Sequence, residues 1–212
     1  MKFAESMLRL YAVTDRSWLG NQTLAQQVEQ ALRGGATCVQ LREKELNPAA
    51  FFAEAKEMKI LCARYGVPLI INDNVELALK VDADGVHVGQ EDMDARDVRG
   101  LIGPDKILGV TAKTLEQAQK AQQAGANYLG SGAVFGSTTK LNAKPMTKEL
   151  LQSICESVQI PVVAIGGIHR GNIAFLAGTG IRGAAVVSGI FSAADIAEEC
   201  RILRAEIDKI VK

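Results

Sequence analysis

The chain has 212 residues, near the short end of the ~200 to 400 that a closed barrel of eight βα units takes, and one domain spanning residues 1–212 is the expectation. Its 24 lysines and arginines balance its 24 aspartates and glutamates. No global field therefore draws it to nucleic acid or to an anionic membrane, and any anion must be held by a local site. No apolar run of about 18 residues is present, and the N-terminus lacks a basic segment followed by an apolar run and a cleavage site, so a soluble, cytoplasmic protein is expected.

Short apolar runs alternate with longer segments of helical period. Strand-like runs fall at residues 8–13, 37–41, 68–71, 85–88, 107–110, 128–130, 162–165 and 183–187. Helical segments lie between them at 24–33, 49–65, 75–80, 115–124, 148–157 and 172–177, with a last one at 193–210. Eight strands alternating with helices describe an α/β chain with a parallel sheet. The even repeat, with no G-x-G-x-x-G after the first strand, favours a closed (β/α)₈ TIM barrel over an open doubly wound sheet. Several helices run into the next strand through glycine, as in Gly34-Gly35-Ala36-Thr37, Ala124-Gly125-Ala126-Asn127 and Gly178-Thr179-Gly180-Ile181, which suits a left-handed helix stop. Cys38, Cys62, Cys155 and Cys200 form no C-x-x-C pair and sit in apolar or helical contexts, as reduced core residues do.

Barrel strands bury both faces, so polar residues gathered where strands end call for a functional explanation. The second strand ends Gln40-Leu41-Arg42-Glu43-Lys44. Strand alternation would send Gln40, Arg42 and Lys44 to one side of the rim as a cationic claw for an anion; an isolated Arg-Glu-Lys is otherwise an ordinary solvated loop. After the third strand comes Asn72-Asp73-Asn74, and beyond the fourth, Gly89-Gln90-Glu91-Asp92. Asp73 alone reads as a helix cap. Paired with Asp92 on a neighbouring strand it could share one Mg²⁺, which takes one or two carboxylates and completes its shell with water and substrate phosphate oxygens. A diphosphate would suit both that metal and the claw. His87 lies mid-strand between valines, where a hydrogen-bonded structural role is the better expectation than that of a base.

After the sixth strand, Gly130-Ser131-Gly132-Ala133-Val134-Phe135-Gly136-Ser137-Thr138-Thr139-Lys140 supplies amides, hydroxyls and a lysine, the inventory that cradles phosphate oxygens. The seventh strand ends Ile165-Gly166-Gly167-Ile168 and the eighth Val187-Ser188-Gly189-Ile190, on the two loops where barrels frequently bind a phosphate. The rim thus offers two anion sites, one cationic and metal-assisted, the other built of glycine amides.

Taken in order, Gln40-Leu41-Arg42-Glu43-Lys44, Ile71-Asn72-Asp73, Asp84 to Asp92, Ser137-Thr138-Thr139-Lys140 and Ile165-Gly166-Gly167-Ile168 resemble the thiamine-phosphate synthases, from about Tyr11 to the last helix. The resemblance implies transfer of an aminopyrimidine methylene group from its diphosphate to the nitrogen of a thiazole phosphate, giving thiamine phosphate and pyrophosphate with Mg²⁺ as cofactor. It places Gln40, Arg42 and Lys44 on pyrimidine and diphosphate, Asn72 on the diphosphate, Asp73 and Asp92 on the metal, and Lys140 on the departing pyrophosphate. It also puts Thr111, Ser137 and Thr139 on ligands and the thiazole phosphate on the amides of Gly167, Ser188 and Gly189. Lys140, Arg42 and Lys44 would carry the catalysis. The partners implied are the two small-molecule substrates, with a homo-oligomer left open and neither nucleic acid nor membrane.

The sequence departs from that family in two places. Members usually carry a serine and a histidine after the fifth strand and prolines around the sixth-strand loop; here stand Thr111-Ala112-Lys113-Thr114 and Gly132-Ala133-Val134-Phe135-Gly136-Ser137. Threonine keeps the serine hydroxyl. The related thiazole tautomerase uses a histidine soon after the sixth strand, which Ala133 and its neighbours do not offer, and it has no need of a metal-bound diphosphate. A catalytically silent barrel that binds thiamine precursors and a sugar-phosphate isomerase are the remaining alternatives. The isomerase would need a proton-transfer residue, and the only histidines are His87 and His169, the latter expected in a loop or at a helix start.

Overall fold

A computed structural model describes residues 2–136 and 145–211. Eight parallel strands close into a barrel in sequence order, with the first paired to the eighth. They are β1 (Leu10–Val13), β2 (Cys38–Leu41), β3 (Leu69–Asn72), β4 (Gly85–Val88), β5 (Ile107–Thr111), β6 (Tyr128–Gly132), β7 (Val162–Ile165) and β8 (Gly183–Val186). All eight expected strands are present. The first is shorter than expected because Leu8 ends a 3-10 helix at Glu5–Leu8.

The helices are α1 (Leu24–Arg33), α2 (Pro48–Arg64), α3 (Val75–Lys80), α4 (Ala95–Ile102), α5 (Leu115–Gln123), α6 (Lys148–Ser157), α7 (Ser188–Phe191) and α8 (Ile196–Ile210). Two of them, α4 and α7, were not among the expected segments, and the segment expected at 172–177 is a 3-10 helix at Ile173–Leu176. Polar caps start the longer helices. Thr23 forms a reciprocal capping box with Gln26, and Asn47, Asp94, Thr114, Thr147 and Asp195 each accept a first-turn amide, so the otherwise orphaned donors at these ends are satisfied. The glycine stops behave as expected, with positive φ at Gly35, Gly125, Gly178 and Gly180, a conformation that a Cβ would penalise.

Strand alternation splits the core into two layers. Leu10, Ala12, Val39, Leu41, Leu69, Ile71, Val86 and Val88 face outward onto the helices. Tyr11, Val13, Cys38, Ile70, Ile107, Tyr128, Val163 and Ala185 form a second cluster in the lumen. The lumen is therefore filled by side chains, as in a barrel of this size. It also holds polar groups: Gln40 and His87 are both buried. The cysteines are free thiols, three buried and Cys155 partly so. Burial pushes the thiols of Cys62, Cys155 and Cys200 up to about 12, so none is a ready nucleophile.

Candidate active site

The C-terminal ends of β2 to β5 bring most of the sequence-derived candidates to one rim. Strand β2 ends at Leu41, so its alternation does not extend through Arg42 and Lys44, and the claw is not one continuous strand face. Gln40 points into the lumen, where its Nε2 donates to the Tyr11 hydroxyl at 2.9 Å. Arg42 lies just beyond the strand, half-buried, with Nη1 3.5 Å from Asp15 Oδ2. Its amide donates to Thr14 Oγ1 at 3.0 Å. Lys44 is exposed.

Glu43 arranges this loop. Its Oε1 accepts the amides of Lys44 and Glu45 at 2.7 and 2.8 Å, and its Oε2 pairs with the Arg16 guanidinium, which also pairs with Glu54 of α2. The two carboxylates respond differently. Burial raises Glu43, but the Glu45 amide, Arg16 and the Lys44 amide outweigh it and hold the carboxyl below its ordinary value. At Glu54 burial wins over Arg16 and the carboxyl is raised. Sequence reasoning missed Arg16, because a lone arginine after the first strand looks like surface charge. Only the fold sets it between the β1 loop, the β2 loop and α2.

On β3 and β4, Asn72 pairs in register with His87, which sets the two carboxylate loops side by side. Asp73 follows Asn72 with φ 62°, a left-handed conformation that aspartate tolerates better than most residues. Its amide donates to the His87 carbonyl at 2.8 Å. Asp92 Oδ2 accepts the Gly89 amide at 2.7 Å, which folds the β4 loop back on itself. Both aspartates are exposed. Among the described residues no group of three or more His, Cys, Asp or Glu could hold a metal ion, so protein ligands alone do not enclose a cation. Asp73 and Asp92 are exposed hard oxygen donors, the kind of which magnesium takes one or two while keeping a partly aqueous shell.

Thr111 ends β5 and its Oγ1 lies 3.0 Å from His87 Nε2. His87 Nδ1 lies 3.0 Å from the Tyr128 hydroxyl, in keeping with the hydrogen-bonded role expected for it. Tyr128 meets Tyr11 hydroxyl to hydroxyl at 2.7 Å. Neither tyrosine stood out in the sequence, since a lone tyrosine in an apolar strand reads as core. Gly109 makes space for this group: a Cβ there would lie 2.2 Å from Tyr128 Cζ and 2.5 Å from His87 Nδ1.

The opposite side of the same rim is built from backbone. Gly166 and Gly167 follow β7 with φ 102° and 65°, and a Cβ on Gly167 would lie 2.7 Å from the Phe135 carbonyl. Asn172 steadies this loop, with Nδ2 donating to the Gly167 carbonyl at 2.9 Å and Oδ1 accepting the His169 amide. His169 is a loop residue whose Nδ1 accepts the Gly171 amide. Ser188 and Gly189 open α7, and a Cβ on Gly189 would lie 2.3 Å from the Ile168 carbonyl. A cleft of about 400 Å³ opens beside Gly189, lined also by His169, Arg170, Ser192 and Glu199. Ser137, Thr139 and Lys140 lie outside the described residues.

The family described as thiamine monophosphate synthase matches residues 10–190. The chain belongs to the thiamine monophosphate synthase family. The thiamine-phosphate synthase of Ruminiclostridium cellulolyticum is 52% identical over 187 residues, 88% of this chain and 89% of that protein. That of Clostridium tetani is 47% identical over 92% of this chain and 93% of its own length. The solved thiamine phosphate pyrophosphorylase of Pyrococcus furiosus superposes with a TM-score of 0.90 at 36% identity, covering 98% of this chain and 99% of its own. This membership supports the synthase expected from the sequence over the tautomerase, the silent barrel and the isomerase, and makes the chain a transferase of thiamine biosynthesis acting on small molecules. Among the described residues no helix is long and apolar enough to cross a membrane.

Proposed function

We propose that the two halves of the rim divide the labour of a thiamine-phosphate synthase. Gln40, Arg42, Lys44 and Asn72 take the pyrimidine diphosphate, with Thr111 beside the ring. The amides of Gly167, Ser188 and Gly189 take the thiazole phosphate. Asp73 and Asp92 hold Mg²⁺, which when bound would neutralise charge on the diphosphate oxygens. Ser137 and Thr139 contact ligands, and Lys140 holds the departing pyrophosphate.

The single observation that carries this reading is the pairing of a cationic, carboxylate-flanked rim on β2 to β4 with a glycine-amide rim on β7 and β8. The first suits a diphosphate that leaves, the second a phosphate monoester that stays attached. An electron-rich aminopyrimidine can stabilise positive charge on its methylene carbon as the C–O bond to diphosphate breaks, and the thiazole nitrogen supplies the electron pair for the new C–N bond. The protein's task is to stabilise the leaving anion and align the nucleophile, and neither a covalent nucleophile nor a general base is needed.

Mixing the purified protein with both phosphorylated heterocycles and Mg²⁺ should give thiamine phosphate and pyrophosphate in equal amounts by chromatography. Binding of both without product would sink the synthase reading. Lys140→Ala should lower turnover by the ~10² to 10³-fold seen when a charge-stabilising donor is lost, and an unchanged rate would remove Lys140 from its role.

A further inference from the structure

The lumen contains an unbroken series of hydrogen bonds joining two residues of the pyrimidine side. It runs from Gln40 on β2 through the hydroxyls of Tyr11 on β1 and Tyr128 on β6 to the two ring nitrogens of His87 on β4, ending at the Thr111 hydroxyl on β5. Its four links measure 2.9, 2.7, 3.0 and 3.0 Å. Tyr11 and Tyr128 are about 1% and 0% exposed. Burial, as the leading cause, pushes both phenols well above their ordinary value, so each stays a neutral hydroxyl with one proton to give.

Started from the amide nitrogen of Gln40, which faces Tyr11, proton counting gives such a series a direction. The Gln40 amide nitrogen donates to Tyr11. Tyr11 then gives its proton to Tyr128, and Tyr128 to His87 Nδ1. A neutral imidazole whose Nδ1 accepts carries its proton on Nε2, which donates to Thr111 Oγ1. Every link is satisfied once, and the two ends are left with opposite character. Gln40 keeps its carbonyl oxygen as an acceptor, and Thr111 keeps its hydroxyl proton as a donor.

We propose that Tyr11, Tyr128 and His87 are positioning residues that fix the carboxamide of Gln40 and the hydroxyl of Thr111 as an acceptor and a donor, and thereby select an aminopyrimidine over its oxo counterpart. This rests on the reading of Gln40 and Thr111 as pyrimidine contacts. An exocyclic amino group donates to the Gln40 carbonyl, and a ring nitrogen accepts from Thr111. A 4-oxo ring presents an acceptor where Gln40 also offers one. Turning the carboxamide over would require all the links to reverse together, whereas without the chain it could turn by itself and accept either ring. A site that fixes hydrogen-bond polarity can reject a mismatched analogue by as much as ~10⁴-fold, because buried polar groups are then left unpaired.

The test compares dissociation constants of the 4-amino and 4-oxo pyrimidine diphosphates, by calorimetry with Mg²⁺ present, for wild type, Tyr128→Phe, Gln40→Ala and the double variant. Tyr128→Phe removes one hydroxyl and keeps the ring, so it should lower the amino-to-oxo preference at least tenfold and leave thiazole-phosphate binding unchanged. The double variant should lose no more preference than Gln40→Ala alone. If Gln40→Ala lowers the preference and Tyr128→Phe leaves it within twofold, the inference fails while the site reading stands. If Gln40→Ala leaves the preference unchanged, the assignment of Gln40 fails and the inference with it. A measurement without any variant guards against misfolding: ¹⁵N NMR of the wild-type protein should show His87 protonated on Nε2 and bare on Nδ1. The opposite tautomer would reverse the chain and overturn the proposal.

Discussion

The two halves of the rim are built by different means. On β2 to β4 the working groups are side chains, each tied to a partner: Arg42 to Asp15, Glu43 to Arg16 and the Lys44 amide, Asp92 to the Gly89 amide. On β7 and β8 they are backbone amides, and glycines stand where a Cβ would collide with a carbonyl 2.3 to 2.7 Å away. A side-chain site is weakened by removing charge, whereas an amide site is weakened by adding bulk. The difference suits the two ligands. Under the proposed division, a diphosphate that must leave would be served by cations and a metal whose hold can be shared with water, while a phosphate that only anchors its ring would be served by fixed dipoles.

The largest expected effect comes from breaking the cationic side at its centre. Arg42→Ala should lower kcat/KM for the pyrimidine diphosphate by about 10²-fold or more, the scale for loss of a charge-stabilising donor, with KM for the thiazole phosphate nearly unchanged. Arg42→Lys should restore only part of the loss, since a lysine cannot reproduce a planar fork of donors. Steady-state kinetics with each substrate varied in turn decides it. Equal damage to both substrates would mean that the rim is one site.

Next in size is the reverse experiment. Gly189→Ala places a methyl 2.3 Å from the Ile168 carbonyl, so the start of α7 must shift. KM for the thiazole phosphate should rise about tenfold or more, on the scale of a misplaced anchor, while binding of the pyrimidine diphosphate is retained. Loss of both would show that the two rims share one framework.

Much of this comparison could be read from the amino-acid sequence, and what could not has physical causes. The strand Val162–Ile165 is legible because burial leaves an unbroken apolar run bounded by proline and glycine, and Gly85–Val88 because its run, interrupted only by His87, stands between Asp84 and Gly89. Helix α4 escaped notice because Ala-Arg-Asp-Val-Arg-Gly-Leu-Ile buries only Val98 and Ile102 and carries a glycine, too thin a stripe to show a period. Helix α7 is one turn long. Rim residues announce themselves because they are polar where strands end. Arg16 and the tyrosines do not, because their roles depend on which strands adjoin: Tyr11 reaches Gln40 from the neighbouring strand and Tyr128 from across the lumen, contacts that barrel closure creates and no local pattern records.

The smallest effect concerns how the cationic loop is held. Arg16→Met keeps much of the length of the side chain but releases Glu43 and Glu54, and KM for the pyrimidine diphosphate should rise several-fold with kcat little changed, because Arg16 acts only through the loop bearing Arg42 and Lys44. The pH dependence follows from the sign at Glu43. Its folded pKa lies below the ordinary 4.5, so its contribution is complete above that value and is lost as pH falls through the lower, folded one. Glu54 is raised instead, and on acidification it takes up its proton first, releasing one hold on Arg16 while Glu43 still keeps the other. Amide exchange of Lys44 and Glu45, whose N–H groups point at Glu43 Oε1, should therefore stay slow through the range in which Glu54 protonates and quicken only below it. Protection lost in step with Glu54 would mean that Arg16, rather than the carboxylate of Glu43, organises the claw.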